Sequence, residues 1–309
     1  MHPITHVVHR VVLCSSLLVA LAVPGARPAR ASMSSAGGRA LGVRALGGQA
    51  LVERSVLRGS SNRAPHNPGV LSPQSHPFGA TYDEWSARWW QWAYSIPSSS
   101  HPLFDETGAN CAAGQSGPVW FLGGVFNVSG TATRDLCTVP AGKALFFPIL
   151  NVEWDNVCPP VDPPMSVDEL RATAASYMDL AQDMSCEVDG RSINDIEAYR
   201  THGDAFAATS PSDGLWELFC GVPGGTFSPL VNDGYYLMLA PLSAGPHTIH
   251  FRGTVGDPVN FTLDITYHLT VASGGSSAVS ATTYSSAGDP ASAAAPARTT
   301  WGRLKAIYR

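Results

Sequence analysis

From Phe261 to Val271 apolar and polar residues alternate without a break. Phe261, Leu263, Ile265, Tyr267, Leu269 and Val271 stand against Thr262, Asp264, Thr266, His268 and Thr270. Successive side chains of a strand point to opposite faces, so the pattern demands a sheet with one buried and one wet face. The same period runs through 247–252, where Ile249 and Phe251 alternate with Thr248, His250 and Arg252. Around this pair, 119–126 (VWFLGGVF) and 144–150 (ALFFPIL) read as buried strands, Asp189-Gly190 as a hairpin turn, and 234–242 as a strand leading into a turn at 243–246. Two helices are announced by capping boxes. Thr81-x-x-Glu84 opens a helix with Tyr82, Trp85, Trp89, Trp92 and Ile96 at three- and four-residue spacing, and Pro97 closes it. Ser166-x-x-Glu169 opens another, with Leu170, Ala174, Tyr177 and Leu180 on its core face. The expected fold is mostly β: an antiparallel β-sandwich or jelly roll with two peripheral helices.

The 309 residues divide by composition. Residues 1–31 read as a signal peptide: a weakly basic start, an apolar run over 11–23 too short to span a bilayer, and Ala29-Arg30-Ala31 as the cleavage pattern. Residues 32–77 read as a flexible low-complexity segment, 78–271 as the β-sandwich domain, 272–299 as an Ala/Ser/Gly-rich linker, and 300–309 as a sorting or anchoring tail. The expected location is secreted, periplasmic or cell-surface, with no membrane span after signal cleavage. A net charge of -5 and no basic run exclude the electrostatic footprint of a nucleic-acid binder.

An oxidising compartment turns nearby cysteines into bridges. Cys14 leaves with the signal peptide, and five remain: Cys111, Cys137, Cys158, Cys186 and Cys220. The favoured pairs are Cys111 with Cys137 and Cys186 with Cys220, each worth about 3–4 kcal/mol in the chain-entropy model. Cys158 is left over. No base signature marks it as catalytic, and no two cysteines have zinc-ligand spacing.

Four groups of residues are candidates for chemistry. Gly114-Gln-Ser116-Gly117 resembles a serine elbow but lacks the closing glycine, and a glycine-rich turn explains it as well. On a strand, Asn151, Glu153 and Asp155 share one face, with i and i+2 side chains about 6.5–7 Å apart. That suits Glu153 and Asp155 as an acid–base pair on a sugar polymer, or all three as oxygen ligands for calcium; carboxylates capping backbone amides explain them equally. His250, Asp264 and His268 lie on the polar faces of neighbouring strands and form a second metal candidate, against the plainer reading of a solvated sheet face. Trp85, Trp89, Trp90 and Tyr94 lie on the first helix, where Trp89 and Trp90 are about 100° apart. At least one of those rings should then border solvent, a partner or a groove, giving an aromatic platform for sugar rings.

The segments WSARWWQWAYSIP, GQSGPVWFLGG, CTVPAGKALFFPILN and DGYYLMLAPLSAGPHTIHF resemble a family of uncharacterised secreted bacterial proteins. The resemblance spans nearly the whole domain, from about Phe78 to Val271, and implies export, but it brings no activity with it. Trp301, Lys305 and Tyr308 are similar to short tails of other exported bacterial proteins. The expected function is a secreted or cell-surface binding or structural protein, contacting polysaccharide or a cell-envelope component through the aromatic helix. An extracellular polysaccharide hydrolase or lyase using Glu153 and Asp155, and a calcium-stabilised adhesive domain, are its rivals.

Overall fold

A computed structural model describes residues 69–127 and 129–273. The expected signal peptide, the linker beyond residue 273, the tail and most of 32–77 lie outside them. In chain order the strands are β1 (Val119–Phe121), β2 (Thr131–Arg134), β3 (Thr138–Val139), β4 (Ala144–Asp155), β5 (Ala181–Val188), β6 (Arg191–Ser192), β7 (Arg200–Thr201), β8 (Phe206–Ser210), β9 (Gly225–Leu239), β10 (Gly245–Val255) and β11 (Phe261–Val271). The helices are α1 (Tyr82–Ser95), α2 (Val167–Met178) and α3 (Leu215–Cys220).

The strands form two sheets. One runs β1-β4-β9, with β7 and β8 sharing the far edge of β9; the other runs β11-β10-β5-β6, with β2 and β3 sharing the outer edge of β11. The long pairings are antiparallel, whereas β1 with β4 and β2 and β3 with β11 are parallel, so both sheets are mixed. The fold is mostly β and sandwich-like, with few helices.

The sheets meet through the alternating residues of β10 and β11: Ile249, Phe251, Ile265 and Leu269 are buried, and Phe251 packs against Phe147 of β4 with ring centroids 5.2 Å apart. The other face of the β4–β9 sheet carries α1, so the middles of β4 and β9 are covered on both sides. This is why ALFFPIL and GYYLML are continuous apolar runs rather than alternating ones.

Both expected helices form behind reciprocal capping boxes, Thr81 with Glu84 and Ser166 with Glu169. Asp189 and Gly190 both take positive φ, 51° and 71°, as a two-residue hairpin of the primed type requires. The packed chain begins upstream of Phe78, since Val70 is buried and bridges Leu239. Among the described residues no helix is long and apolar enough to cross a membrane.

Two expectations are corrected. The run 119–126 is a strand only as far as Phe121. Beyond it Gly123 and Gly124 pass so close to Leu103 and Leu263 that a Cβ would come within 2.5 and 2.8 Å of those side chains, and the backbone leaves the sheet. The second correction concerns the cysteines. Cys111 pairs with Cys137 as expected, but Cys220 pairs with Cys158, and Cys186 is free and buried. Cys186 lies on β5 opposite Phe251, facing the core between the sheets, while Cys220 ends α3 beside the turn that follows β4. Burial pushes the Cys186 thiol up to about 12, which keeps it protonated and unreactive in the fold.

Peptide mapping without reduction should therefore recover Cys111 linked to Cys137 and Cys158 linked to Cys220, with Cys186 alkylated only after unfolding. Opening the Cys158–Cys220 bridge, which spans 62 residues, should cost about 4 kcal/mol on the chain-entropy scale. A Cys186–Cys220 peptide would contradict this topology.

Candidate functional site

The aromatic helix is not a surface platform. Trp85, Trp89, Trp90, Trp92 and Tyr94 are all buried. Trp89 and Trp90 do diverge around the helix, with rings edge to face at 5.0 Å, but each side has its own cover. Trp90 donates its indole N–H to the Tyr236 hydroxyl of β9 at 3.1 Å. On the other side the chain after α1 folds back over the helix, and Trp89 donates to the Leu122 carbonyl and Trp92 to the Ala113 carbonyl. Trp85 donates to Pro77. The expected exposed contact surface of Trp85, Trp89, Trp90 and Tyr94 is thus overturned: a wrapping segment replaces solvent on the helix's second face.

That segment is held by one buried side chain. Arg134, at the end of β2, is 1% exposed. Its guanidinium donates to the carbonyls of Pro102, Asp105, Gly123 and Gly124 and to the Tyr267 hydroxyl, at 2.6–3.0 Å. Tyr267 in turn donates to the Gly123 carbonyl. Because β1 stops at Phe121, the edge of β4 beyond its pairing with β1 has no partner strand among the described residues.

A cleft with a cavity volume of about 110 Å³ opens along this bare edge. Trp89 and Trp90 bound it on the helix side, Val125 and Phe126 on the wrapping segment, and Trp154, Tyr177, Val259 and Phe261 toward the other sheet. Three polar residues contribute to its lining: Asn127, Asn151 and the fully buried Glu153.

Asn151, Glu153 and Asp155 share the α1-facing side of β4, as the period of a strand requires. Their environments nevertheless separate them. Glu153 is fully buried and accepts the Tyr94 phenol proton at 2.5 Å. Burial, and then the negative charges of Glu153 and Asp155, hold the Tyr94 phenol well above its ordinary pKa, so Tyr94 stays a donor. Tyr94 is fixed by stacking on Trp216 of α3, with centroids 3.9 Å apart. Asp155 accepts from the Val157 and Cys158 amides at 2.6 and 2.7 Å and from the Trp216 indole at 3.1 Å. It caps the turn after β4 and does not line the cleft, so the expected acid–base pair is not assembled around one substrate position. Asn151 directs its amide N–H to Tyr236 rather than toward a shared ion.

The histidine set separates as well. His250 lies opposite Thr266, diagonal to both Asp264 and His268; it bonds Asp264 at 2.8 Å, while His268 turns to Asp135 at 2.6 Å. The segment from β2 to β3 runs beside β11 and supplies Asp135, which draws His268 away. Among the described residues no group of three or more His, Cys, Asp and Glu side chains is placed to hold a metal ion.

Two constellations were not legible in the sequence. Asn232 of β9 lies opposite Glu153 on the same face, buried, with neither amide atom hydrogen-bonded; a polar pair Asn232-Asp233 inside an otherwise apolar strand is the signal that marks it. Ser243, His247 and Asp189 form a chain at the hairpin ends, with His247 Nδ1 2.8 Å from Asp189 and Nε2 3.3 Å from the Ser243 hydroxyl. It is a clamp rather than a nucleophile site, because Nε2 also meets the Ser243 carbonyl at 2.9 Å. Burial lowers the His247 pKa, but bonds from both ring nitrogens to acceptors outweigh it and favour the imidazolium.

No family model, curated protein or solved structure matches the chain.

His101 gives the wrapped helix a pH signature. It is buried, donates from Nε2 to the Ala93 carbonyl at 2.8 Å and accepts the Leu103 amide at Nδ1, which fixes the neutral ring. Burial pushes its pKa down to about 4, against the pull of the Ala93 carbonyl. The unfolded chain binds this proton first, so stability is intact above the usual value of about 6.5 and is lost as pH falls toward 4. In urea titrations, the unfolding free energy of the native protein should fall between pH 7 and 4 more steeply than that of His101→Gln, by about 3 kcal/mol. Parallel pH profiles would contradict the assignment.

Proposed function

We propose that this chain is an exported protein that binds a small, compact and largely apolar molecule in the cleft along the bare edge of β4. The observation that carries the reading is the cleft itself: about 110 Å³, walled mainly by aromatic and aliphatic residues. An apolar cavity of ~150 Å³ is enough to take up benzene, so the ligand is a single ring or a short branched chain rather than an oligosaccharide. Clefts of this kind, apolar with few polar groups, are the usual form of small-molecule sites. Two disulfides support the exported reading. The polysaccharide reading loses its support with the burial of the α1 tryptophans, and the hydrolase reading loses its pair with the commitment of Asp155 to the turn.

The site carries its own reporters, since Trp89, Trp90 and Trp154 border the cleft. Titration of the native protein with toluene and with benzyl alcohol should change tryptophan emission saturably and raise the melting temperature in proportion to occupancy. Val259, half-buried in the lining, is the position at which to plug the cleft: Val259→Trp should abolish the response while melting at the native temperature or above. Saturable binding that survives in Val259→Trp, or no binding of either compound, would overturn the proposal.

A further inference from the structure

The cleft adjoins a second aromatic surface. Phe126, one of its lining residues, also belongs to a triangle of phenylalanine rings with Phe104 and Phe219. The three come from separate places in the chain: Phe104 from the start of the wrapping segment, Phe126 from its end and Phe219 from α3. Their ring centroids stand 5.5, 5.8 and 6.0 Å apart, tilted or edge to face. Phe104 and Phe219 lie outside the cleft lining. All three residues are half-buried, whereas Trp89 and Trp90 of α1 and Trp216 of α3 are covered almost completely.

The triangle is fixed at each corner. The Phe126 amide donates to the Leu103 carbonyl at 2.7 Å, which holds the two ends of the wrapping segment side by side. Arg134 grips the carbonyls of Asp105 and Gly124, within two residues of Phe104 and Phe126. On α3, Phe219 lies between Trp216, which stacks on Tyr94, and Cys220, which is bonded to Cys158. The apolar surface therefore stands ready before any ligand arrives, and covering it is favourable in proportion to the area removed from water. A single ring fills a space of about 110 Å³, so a chain attached to that ring must leave the cleft. One that leaves past Phe126 runs onto the triangle. The lining holds no lysine, arginine or histidine, so an anionic group would be desolvated there without a partner, which is costly.

From this continuity we infer that the cleft and the phenylalanine triangle form one site, and that its ligand is a ring bearing a short alkyl chain and no anionic group. The ring occupies the cleft, and the chain lies over Phe126 toward Phe104 and Phe219. The inference rests on the small-molecule reading of the same cleft and specifies what that molecule carries.

The test is a chain-length series on the native protein, toluene, ethylbenzene and n-butylbenzene, followed by calorimetry and tryptophan emission. A methylene covered on one side only should tighten binding about twofold, half the free energy of full burial. On the same scale n-butylbenzene should bind about eightfold more tightly than toluene. In Phe219→Ala, which leaves the cleft lining untouched, toluene should bind as it does to the native protein while the chain-length gain disappears. A melting profile checks that this variant is folded. A second comparison needs no variant: ethylene glycol monobenzyl ether, whose chain is similar in length but hydrophilic, should bind the native protein no better than toluene. A flat series, or an equal gain from the glycol ether, would overturn the inference and leave the small-molecule cleft standing. A gain that persists in folded Phe219→Ala would overturn the assignment to the triangle. No binding of any probe would overturn both readings.

Discussion

The guanidinium of Arg134 is the interaction on which the rest of this structure depends. It is buried, and its donors converge on four backbone carbonyls and one tyrosine hydroxyl. The planar fork of arginine satisfies several acceptors at once in fixed directions, which a lysine cannot do. Those carbonyls belong to the two ends of the segment that wraps α1, from Pro102 to Gly124. Removing the guanidinium would leave buried acceptors unpaired, at about 1–3 kcal/mol for each group. The wrap is therefore specified at one point, and the helix beneath it is specified with it.

Two consequences follow from that anchoring. Helix α1 buries aromatic rings on two faces, one covered by the β4–β9 sheet and the other by the wrap, and keeps a polar stripe of Glu84, Arg88, Gln91 and Ser95 exposed. Each of its four indoles finds an acceptor, two of them on the wrap. The second consequence is topological. The chain that would have continued β1 alongside β4 is pulled away at Gly123 and Gly124, and the edge it leaves bare becomes one wall of the cleft. A bare strand edge is a liability for aggregation; here it is turned inward and faced by side chains of both sheets and of the wrap. The cleft is thus a by-product of how the helix is covered.

Much of this was legible in residues whose signals are local. The period-two run of β11, the two capping boxes and the Asp189-Gly190 turn each announce themselves within a dozen residues, and each forms as read. The grouping of Asn151, Glu153 and Asp155 on one face was also legible, because it follows from strand geometry alone. What could not be read is whatever depends on partners distant in sequence. Asp155 is consumed by amides just beyond it and by Trp216, which arrives on a six-residue helix with no amphipathic signature of its own. Cys158 finds Cys220 through that same helix. Trp89 and Trp90 looked impossible to bury together because a sequence shows the helix but not its second cover. His268 was diverted by Asp135, 133 residues away in sequence.

The central claim is that the bare edge of β4 encloses a standing apolar cleft, and xenon tests it without assuming any ligand. Xenon enters apolar cavities and scatters strongly enough to be located. Crystals of the protein pressurised with xenon should show a single strong site bounded by Trp89, Val125, Val152 and Phe261, with the surrounding side chains in place. The same crystals with the cleft collapsed and xenon absent from it, or with ordered water filling the space beside Trp89 and Phe126, would contradict the account.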